Sequence, residues 1–211
     1  MRVGVVDYAV SNLASVLNAL RHIGAKAEPV RDAQRIGEFT HLVLPGVGSF
    51  AAGMANLRHF GLVEPLRAAA AAGTPLLGMC LGMQLLAEEG EEYGPTPGVG
   101  LFPGRVTRIE SADSELRLPH VGWNDVTPHG QSRLLAGLPN PSTFYFVHSY
   151  VYSHPKADYV TGLTDYAGPQ VALVEQDNLF GTQFHPEKSQ KHGMQLLQNF
   201  VAVASVESSQ C

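Results

Sequence analysis

The chain has 211 residues, of which 45% are hydrophobic and only 16% are charged. This length accommodates one domain with a substantial core, and a charged fraction below the usual ~25% favours an architecture that buries much of its surface, such as a sheet covered on both faces. The net charge of -5 arises from scattered acids and bases without a basic stripe, so nucleic acid is not an expected partner.

The first half of the sequence predicts strands and helices in alternation. Short apolar runs indicate strands, and apolar residues at helical spacing, such as Leu13, Val16 and Leu20, indicate helices between them. Such an alternation is typical of a mainly parallel, doubly wound sheet. The predicted strands are 3–6, 27–30, 41–44 (broken by Pro45) and 75–79, and the predicted helical regions are 13–24, a segment through Ile36, 51–72 with an interruption near Gly61, and 81–89.

The second half contains more strands, separated by Gly and Pro. Its predicted strands are 105–109, 121–126, 143–152, 159–163, 171–175 and 179–184, the last preceded by a turn at Asp177-Asn178, and a final helix covers 190–203. The expected fold class is therefore α/β, with a doubly wound, mainly parallel central sheet, flanking helices and an additional antiparallel strand section in the second half. No linker separates two parts, so residues 1–211 are expected to form a single domain.

An uncharged stretch at residues 68–87 has the length of a membrane span. Gly73-Thr74-Pro75 interrupts it, so a helix end, a turn, a buried strand and a new helix are expected instead of a membrane helix. Of the two cysteines, Cys211 ends a polar tail, and a structural disulfide with Cys80 is not expected. The N-terminal apolar run meets Asp7 too early for a signal peptide, which favours a cytoplasmic protein.

Gly78-Met79-Cys80-Leu81-Gly82 lies between an apolar strand and a helix and has the form Gly-x-nucleophile-x-Gly. This is the context of a nucleophile elbow, a sharp and strained turn whose glycines remove side chains that would collide. The sulfur of Cys80 would lie at the start of the helix, where N–H groups favour the thiolate, and the N–H of Leu81 would point at an oxyanion. The alternative is an inert buried thiol, because free Cys is among the most buried residue types.

Phe184-His185-Pro186-Glu187 follows an apolar strand near the C-terminus. Because Pro restricts the preceding residue to extended geometry, and residues two apart in an extended chain project to the same side, His185 and Glu187 are expected to lie close together. The carboxylate would accept from one imidazole nitrogen while the other nitrogen faces the thiol, as in a catalytic triad.

A single histidine is usually a satisfied surface or core residue, and the other histidines among the nine in the chain are interpreted in that way rather than as catalysts. No His-x-x-x-His or Cys-x-x-Cys spacing supports a metal site. Neither a metal nor a cofactor is expected.

The elbow and the His-Pro-Glu segment together resemble the triad-type glutamine amidotransferases. Five longer segments narrow the resemblance to the glutaminase subunit of imidazole glycerol phosphate synthase, and the matching blocks extend from the first strand to the last helix. The resemblance implies hydrolysis of glutamine to glutamate and ammonia through a cysteine thioester. It also implies delivery of the ammonia to a (βα)8-barrel cyclase subunit that makes imidazole glycerol phosphate in histidine biosynthesis. The segments are Pro45-Gly46-Val47-Gly48-Ser49-Phe50, 78–86, 118–124, 145–150 and 184–189.

Roles for individual residues follow from the same resemblance. Cys80, His185 and Glu187 match the triad, and the backbone of Val47 and Leu81 matches the oxyanion hole. The matching positions that hold glutamine are Gly48, Gln84, Glu92 and the backbone at Ser149 and Tyr150. The matching positions that face the partner subunit are Asn12, Trp123, Asn124, Tyr145 and Lys188.

The residue types at two of the glutamine positions suit these roles. A carboxylate such as Glu92 is an appropriate partner for the ammonium of a free amino acid. The alternative is that Glu92, together with Glu88, Glu89 and Glu91, only forms a solvated acidic face. Gln84 lies one helical turn beyond Cys80, so its amide is expected to face the same site.

One loop departs from the family pattern. After Asp7-Tyr8 the family commonly has a Gly-rich turn ending in Asn, whereas this chain has Ala9-Val10-Ser11-Asn12. Asn12 keeps its place, but the loop is bulkier. Because the loop should lie near the subunit interface, the departure concerns partner affinity or signalling more than the triad.

Three alternatives remain open. The first is the glutaminase subunit of another synthase, of the anthranilate or pyridoxal phosphate pathway, although Pro45-Gly46-Val47-Gly48 and the Pro-His-x-Gly-Trp-Asn segment fit those poorly. The second is a cysteine hydrolase or chaperone of the same fold that works without this histidine and acid, and His185-Pro186-Glu187 argues against it. The third is a binding module without chemistry.

Overall fold

A computed structural model describes residues 1–10, 12–110, 117–153 and 157–204. Ser11 of the departing loop and Cys211 lie outside these ranges. The α-helices are α1 Leu13–His22, α2 Phe50–His59, α3 Val63–Ala71, α4 Leu81–Leu85 and α5 Gln190–Val201. The strands are β1 Arg2–Val6, β2 Lys26–Val30, β3 His41–Gly46, β4 Leu76–Cys80, β5 Ala87–Gly90, β6 Thr96–Pro97, β7 Phe102–Arg108, β8 His120–Pro128, β9 Ser142–His148, β10 Tyr150–Tyr152, β11 Val160–Asp165, β12 Pro169–Gln176 and β13 Leu179–Thr182.

A nine-stranded sheet runs through the molecule in the order β2-β1-β3-β4-β13-β12-β11-β8-β9. The strands from β2 to β13 are parallel to their neighbours, and each neighbour pair from β13 to β9 is antiparallel. A second sheet of four short strands has the order β10-β7-β5-β6. The predicted α/β class with an antiparallel section in the second half is confirmed.

Helices cover both faces of the parallel section, as the uninterrupted apolar strands predict. Successive residues of β3 show the alternation, because Leu42 and Leu44 join one hydrophobic cluster while Val43 joins the other. The first cluster contains residues of α2, α3 and α4, and the second contains residues of α1 and α5. The site residues that follow β3, β4 and β13 are therefore held at the carboxyl edge of a sheet that is buried on both sides.

The predicted helix at 81–89 is wrong in its second half. The helix α4 ends at Leu85, and Ala87–Gly90 forms the strand β5 beside β7. Two of the glutamates accept backbone N–H groups in this arrangement, Glu88 from Gly104 and Glu91 from Arg108. These tertiary hydrogen bonds outweigh the helix propensity of a Glu-rich segment, which is a weak preference.

Two further predictions of secondary structure need correction. The predicted strand 143–152 is two strands in different sheets, because the chain leaves the large sheet at Ser149, whose carbonyl accepts the N–H of Ile109. The strand β3 continues through Pro45 to Gly46, since β1 pairs no further than Val43 and Pro45 opposes only β4.

The remaining predicted elements differ only in detail. The expected helical segment through Ile36 is a 3-10 helix, Ala33–Glu38. The stretch 68–87 contains the end of α3, the strand β4 and the helix α4, and none of the described helices has the length and apolar content needed to span a bilayer.

The turn between β4 and α4 has the geometry of a strained elbow. Cys80 has φ 53° and ψ -113°, a left-handed conformation that L-residues with a side chain rarely adopt. A Cβ on Gly82 would lie 1.7 Å from the carbonyl oxygen of Leu44, and a Cβ on Gly78 would lie 2.7 Å from the backbone of Met83. The two glycines of the motif are therefore required because neighbouring backbone occupies the space of a side chain.

Gly82→Ala is expected to lower the free energy of unfolding by about 2 kcal/mol or more, because the backbone of β3 or of the elbow must move to admit the methyl group. Chemical denaturation measures this change. Gly37→Ala is the matched control, since no described atom lies within 4 Å of its added methyl group, and its effect should stay within about 0.5 kcal/mol. Equal unfolding midpoints for the two variants would show that the elbow tolerates a side chain.

Candidate active site

One cavity of about 300 Å³ opens at the carboxyl edge of β3 and β4. Its wall is formed by the elbow, the loop after β3, the chain between β9 and β10, and His185, which lies three residues after β13. The residues that line it are Val47, Gly48, Cys80, Leu81, Gln84, Glu92, Pro119, Val147, His148, Ser149, Tyr150 and His185. Except for Glu187, every residue that the sequence nominated for the triad, the oxyanion hole or glutamine binding borders this space.

Cys80 lines the cavity, and the residue is 6% exposed. Its sulfur is 3.8 Å from the carbonyl oxygen of Val147 and 3.9 Å from Nε2 of Gln183. Cys80 thus borders a cavity of about 300 Å³, whereas an inert buried thiol would be enclosed by core side chains.

His185 and Glu187 form a buried pair beside the thiol. Nδ1 of the ring is 2.8 Å from Oε1 of the carboxylate, and the two side chains are 4% and 2% exposed. The prediction that an extended backbone brings the two side chains together is only partly correct. His185 is extended, but Pro186–Lys188 forms a 3-10 turn. Ser189 closes the turn by donating its hydroxyl to the carbonyl of His185 at 2.6 Å.

Charge interactions at the pair favour an imidazolium. Burial by itself lowers the pKa of His185, but the hydrogen bonds and charge interactions with the Cys80 sulfur and the Glu187 carboxylate outweigh this effect and raise the pKa to about 9. Among the described residues, Nε2 of His185 and Oε2 of Glu187 have no hydrogen-bond partner of normal geometry. The ring is thus fixed through Nδ1 and keeps Nε2 free for proton transfer.

Gln84 and Glu92 approach the cavity from opposite ends of the segment after the elbow. Nε2 of Gln84 donates to the carbonyl of Tyr150 at 2.8 Å and to Oε1 of Gln183 at 2.9 Å. Oε2 of Glu92 accepts the N–H of Phe50, the first residue of α2, at 2.8 Å. The acidic segment is therefore not simply a solvated face, because this carboxylate is tied to a helix N-terminus at the rim of the cavity.

The two backbone groups nominated for the oxyanion hole differ in their surroundings. Val47 and Leu81 both border the cavity. The N–H of Val47, however, donates to the carbonyl of Val10 at 2.9 Å. Gly48 follows with φ +99°, a conformation that suits glycine. Of the two nominated N–H groups, that of Val47 is engaged by the loop that departs from the family pattern.

The residues nominated for a partner surface fall into three places. Trp123 and Lys188 are exposed and lie beside the half-buried Tyr145, with 5.8 Å between the two aromatic ring centroids and 5.8 Å from Nζ to the Tyr145 ring. Asn12 is exposed and borders a small cleft behind the site that Val47, His185 and Glu187 also line. Asn124 lies on the opposite side of β8 from Trp123, and its amide donates to the carbonyl of Asp165 at 2.9 Å.

Sequence reasoning missed four residues of the site. Pro119, Val147 and His148 line the cavity, and Gln183 contacts both Cys80 and Gln84. Pro119, Val147 and His148 lie in segments that carry the family resemblance, so the sequence contained a signal for their positions. Gln183 directly precedes the motif segment at 184, and a polar residue in an apolar strand is the only sign of its position.

The fold and the site together define a class of protein. A cysteine on a strained strand-to-helix turn, bordering one cavity with a carboxylate-paired histidine, is the arrangement of enzymes that attack an acyl carbon through a thiol. The glutamine amidotransferase class-I family matches residues 4–204, and the chain belongs to this family.

Relatives within the family are similar over nearly the whole chain. An imidazole glycerol phosphate synthase subunit HisH from Symbiobacterium thermophilum is 48% identical over 199 residues, which are 94% of this chain and 92% of the relative. A protein of the same name from Geobacillus thermodenitrificans is 43% identical over 206 residues, 96% of each chain.

Solved structures match the fold at low identity. PurLQS from Thermotoga maritima has a TM-score of 0.76 at 21% identity and covers 95% of this chain and 97% of its own. A crystal structure of glutamine amidotransferase has a TM-score of 0.74 at 23% identity and covers 97% and 99%. These likenesses concern the fold alone.

Glu187→Gln is expected to lower the pKa of His185 from about 9, because the uncharged amide stabilises the imidazolium less. Nuclear magnetic resonance of the ring protons as a function of pH measures this change. Since the folded-state pKa lies above the ordinary value of 6.5, the protonated ring stabilises the fold below that pH, and the contribution disappears as the pH rises through about 9.

Glu187→Gln should therefore reduce the change of the unfolding free energy between pH 6.5 and about 9. Glu64→Gln is the control, because it removes a carboxylate that is 77% exposed and paired with Arg67. A His185 pKa that is the same in Glu187→Gln, Glu64→Gln and the parent chain would contradict the electrostatic role of Glu187.

Proposed function

We propose that the chain is the glutaminase subunit of imidazole glycerol phosphate synthase, with a Cys-His-Glu triad made of Cys80, His185 and Glu187. It hydrolyses glutamine to glutamate and ammonia and supplies the ammonia to a (βα)8-barrel cyclase subunit in histidine biosynthesis. The observation that carries the proposal is the cavity shared by the Cys80 thiol and the carboxylate-paired ring of His185. The similarity to the HisH relatives over more than nine tenths of the chain supports the pathway.

The reaction follows from the positions of these groups. The thiol proton of Cys80 passes to Nε2 of His185, whose charged form is favoured, and the sulfur then attacks the side-chain amide carbon of glutamine. The tetrahedral intermediate then loses ammonia, which takes its proton from the imidazolium, and a thioester remains. Water attacks the thioester with His185 as the base, and glutamate and the free thiol are released. Glu187 holds the ring through Nδ1 and stabilises its charged form.

Binding of glutamine is assigned to the opposite part of the cavity. Glu92 is the proposed partner of the ammonium group, and its hydrogen bond to the N–H of Phe50 holds the carboxylate in place. Gly48, Gln84 and the backbone at residues 149–150 complete the proposed binding surface. A volume of about 300 Å³ is at the lower end of the range for small-molecule sites, which suits an amino acid.

The proposed oxyanion hole requires one rearrangement. The N–H of Leu81 belongs to the elbow, whereas that of Val47 is bonded to Val10. We propose that the peptide between Gly46 and Val47 rotates before the second donor can face the oxyanion. The loop of Val10 would then control the rate of hydrolysis through one hydrogen bond.

The proposed partner surface is formed by Trp123, Tyr145 and Lys188. Trp123 is 50% exposed and contacts Tyr145, and both lie near the exposed Lys188. Aromatic residues are enriched in protein interfaces relative to the rest of the surface. We propose that the cyclase subunit docks here and also contacts Asn12 and Asn124, which lie outside this group. We also propose that the chain acts as a single domain, because its two hydrophobic clusters lie on the two faces of one sheet.

Cys80→Ala is expected to reduce ammonia release from glutamine by about 10⁴-fold or more, because no nucleophile remains to form the thioester. Glutamate formation with the cyclase subunit present measures the loss. Cyclisation by the same complex with added ammonium salt is the internal control and should be unchanged. Loss of both activities, or glutamine hydrolysis at the parent rate, would contradict the proposal.

The identity of the partner has its own test within the same assay. Only a barrel cyclase should raise glutamine turnover, whereas stimulation by the subunit of another synthase, such as that of anthranilate or pyridoxal phosphate synthesis, would assign the chain to that pathway.

Glu92→Gln is expected to raise the KM for glutamine about tenfold or more while kcat changes little, because the lost charge acts on binding rather than on the reacting amide. The amide oxygen at position 92 can still accept the N–H of Phe50, so the variant isolates the charge. Glu91→Gln is the matched control, since Glu91 is exposed and bonded to the N–H of Arg108. Equal KM values for the two variants would exclude Glu92 from the ammonium site.

A further inference from the structure

Two buried histidines that the proposed triad does not use face each other across β8 and β9. His120 and His148 are partners in the strand register and are 3% and 6% exposed. Nδ1 of His120 lies 3.1 Å from Nε2 of His148. His148 also borders the cavity, so the pair connects the wall of the site with the interior of the antiparallel section.

The hydrogen-bonded series extends beyond the pair in both directions. At its outer end the amide nitrogen of Asn124 is 3.3 Å from Nε2 of His120. At its inner end Nδ1 of His148 is 2.9 Å from the carbonyl oxygen of Tyr150, which also accepts from Gln84 at 2.8 Å. Four groups in series therefore join a half-buried amide on β8 to the backbone that lines the cavity.

Only one arrangement of protons satisfies every contact with neutral rings. A carbonyl only accepts, so Nδ1 of His148 must carry its hydrogen and Nε2 must accept from Nδ1 of His120. Nε2 of His120 then accepts from Asn124, whose nitrogen is identified by its second contact with the carbonyl of Asp165 at 2.9 Å. Each donor in the series points toward the cavity.

The surroundings keep both rings neutral and fixed. Burial is the main cause that lowers the pKa of each histidine to about 4, and for His148 the neighbouring His120 and His185 contribute to this lowering while the hydrogen bond to the Tyr150 carbonyl opposes it. The ring of His120 is stacked between Phe146 and Tyr166, with centroid distances of 4.8 and 3.9 Å. An added proton on His148 would place two N–H groups against each other and break the series.

We propose that His120 and His148 are positioning residues that hold the Tyr150 carbonyl, and with it the backbone at residues 149–150, in the conformation that binds glutamine. This inference rests on the proposed function. The series reaches Asn124, next to the exposed Trp123, so a partner bound at β8 acts through it on substrate affinity rather than on the chemical step.

Two variants at position 148 separate positioning from simple filling of space. His148→Phe removes both contacts and should raise the KM for glutamine about tenfold with kcat nearly unchanged. His148→Asn keeps a donor near the Nδ1 position and should recover most of the affinity. His41→Phe is the control, because His41 is also buried and bonded to a backbone carbonyl, that of Val203, and stacks edge-on against Phe200. Its KM should equal that of the parent chain.

A spectroscopic measurement on the unaltered chain tests the series without catalysis. Nitrogen-15 resonances of the two rings should show neutral Nδ1–H tautomers for both His120 and His148 from pH 6 to 8. An Nε2–H tautomer or a charged ring at either position would overturn the inference, as would a KM in His148→Phe equal to that of His41→Phe. If the parent chain does not hydrolyse glutamine even with the cyclase subunit present, the proposed function fails, whereas the tautomers still decide whether the series exists.

Discussion

The conformation of Cys80 is the constraint on which the rest of the site depends. A residue with a side chain at φ 53° costs about 1–3 kcal/mol, and the surrounding structure must supply this energy. It does so by burying both sides of the turn, since Met79 belongs to one hydrophobic cluster and Leu81 and Met83 belong to the other. Because Gly82 lies directly against the carbonyl of Leu44, the elbow is in close backbone contact with β3.

Sheet topology brings the other components to the elbow. The strands β3, β4 and β13 are adjacent and parallel, so the segments that follow them meet at one edge. The first carries Val47, the second Cys80 and the third His185. The antiparallel section adds the fourth wall, because the chain passes from β9 to β10 at Ser149 and leaves the Tyr150 carbonyl between His148 and Gln84.

Local patterns predicted what is determined by local chemistry. The Gly-x-Cys-x-Gly motif predicted a sharp turn between a strand and a helix, the uninterrupted apolar runs predicted buried strands, and both predictions agree with the structure. The length of α4 was not predictable in the same way, because Glu88 and Glu91 bind backbone groups of β7 that lie far away in the sequence. The pairing of His185 with Glu187 was predicted from an extended backbone, but a 3-10 turn closed by Ser189 produces it.

Hydrogen-bond direction is a second property that the sequence does not contain. Val47 was nominated as an oxyanion donor from its position in a motif, and its position is as expected, yet its N–H bonds to Val10. A backbone hydrogen bond contributes about 1 kcal/mol net, whereas an oxyanion donor contributes about 3 kcal/mol to the transition state. In the proposed mechanism the bond to Val10 is therefore weak enough to be exchanged during the reaction but strong enough to hold the N–H of Val47 away from the oxyanion in the free chain. Because the residues on both sides of Val47, Gly46 and Gly48, have no side chains, the peptide can rotate without a clash from its neighbours. The free-energy difference between the two orientations of the Val47 N–H is small enough for contact with a partner to reverse it.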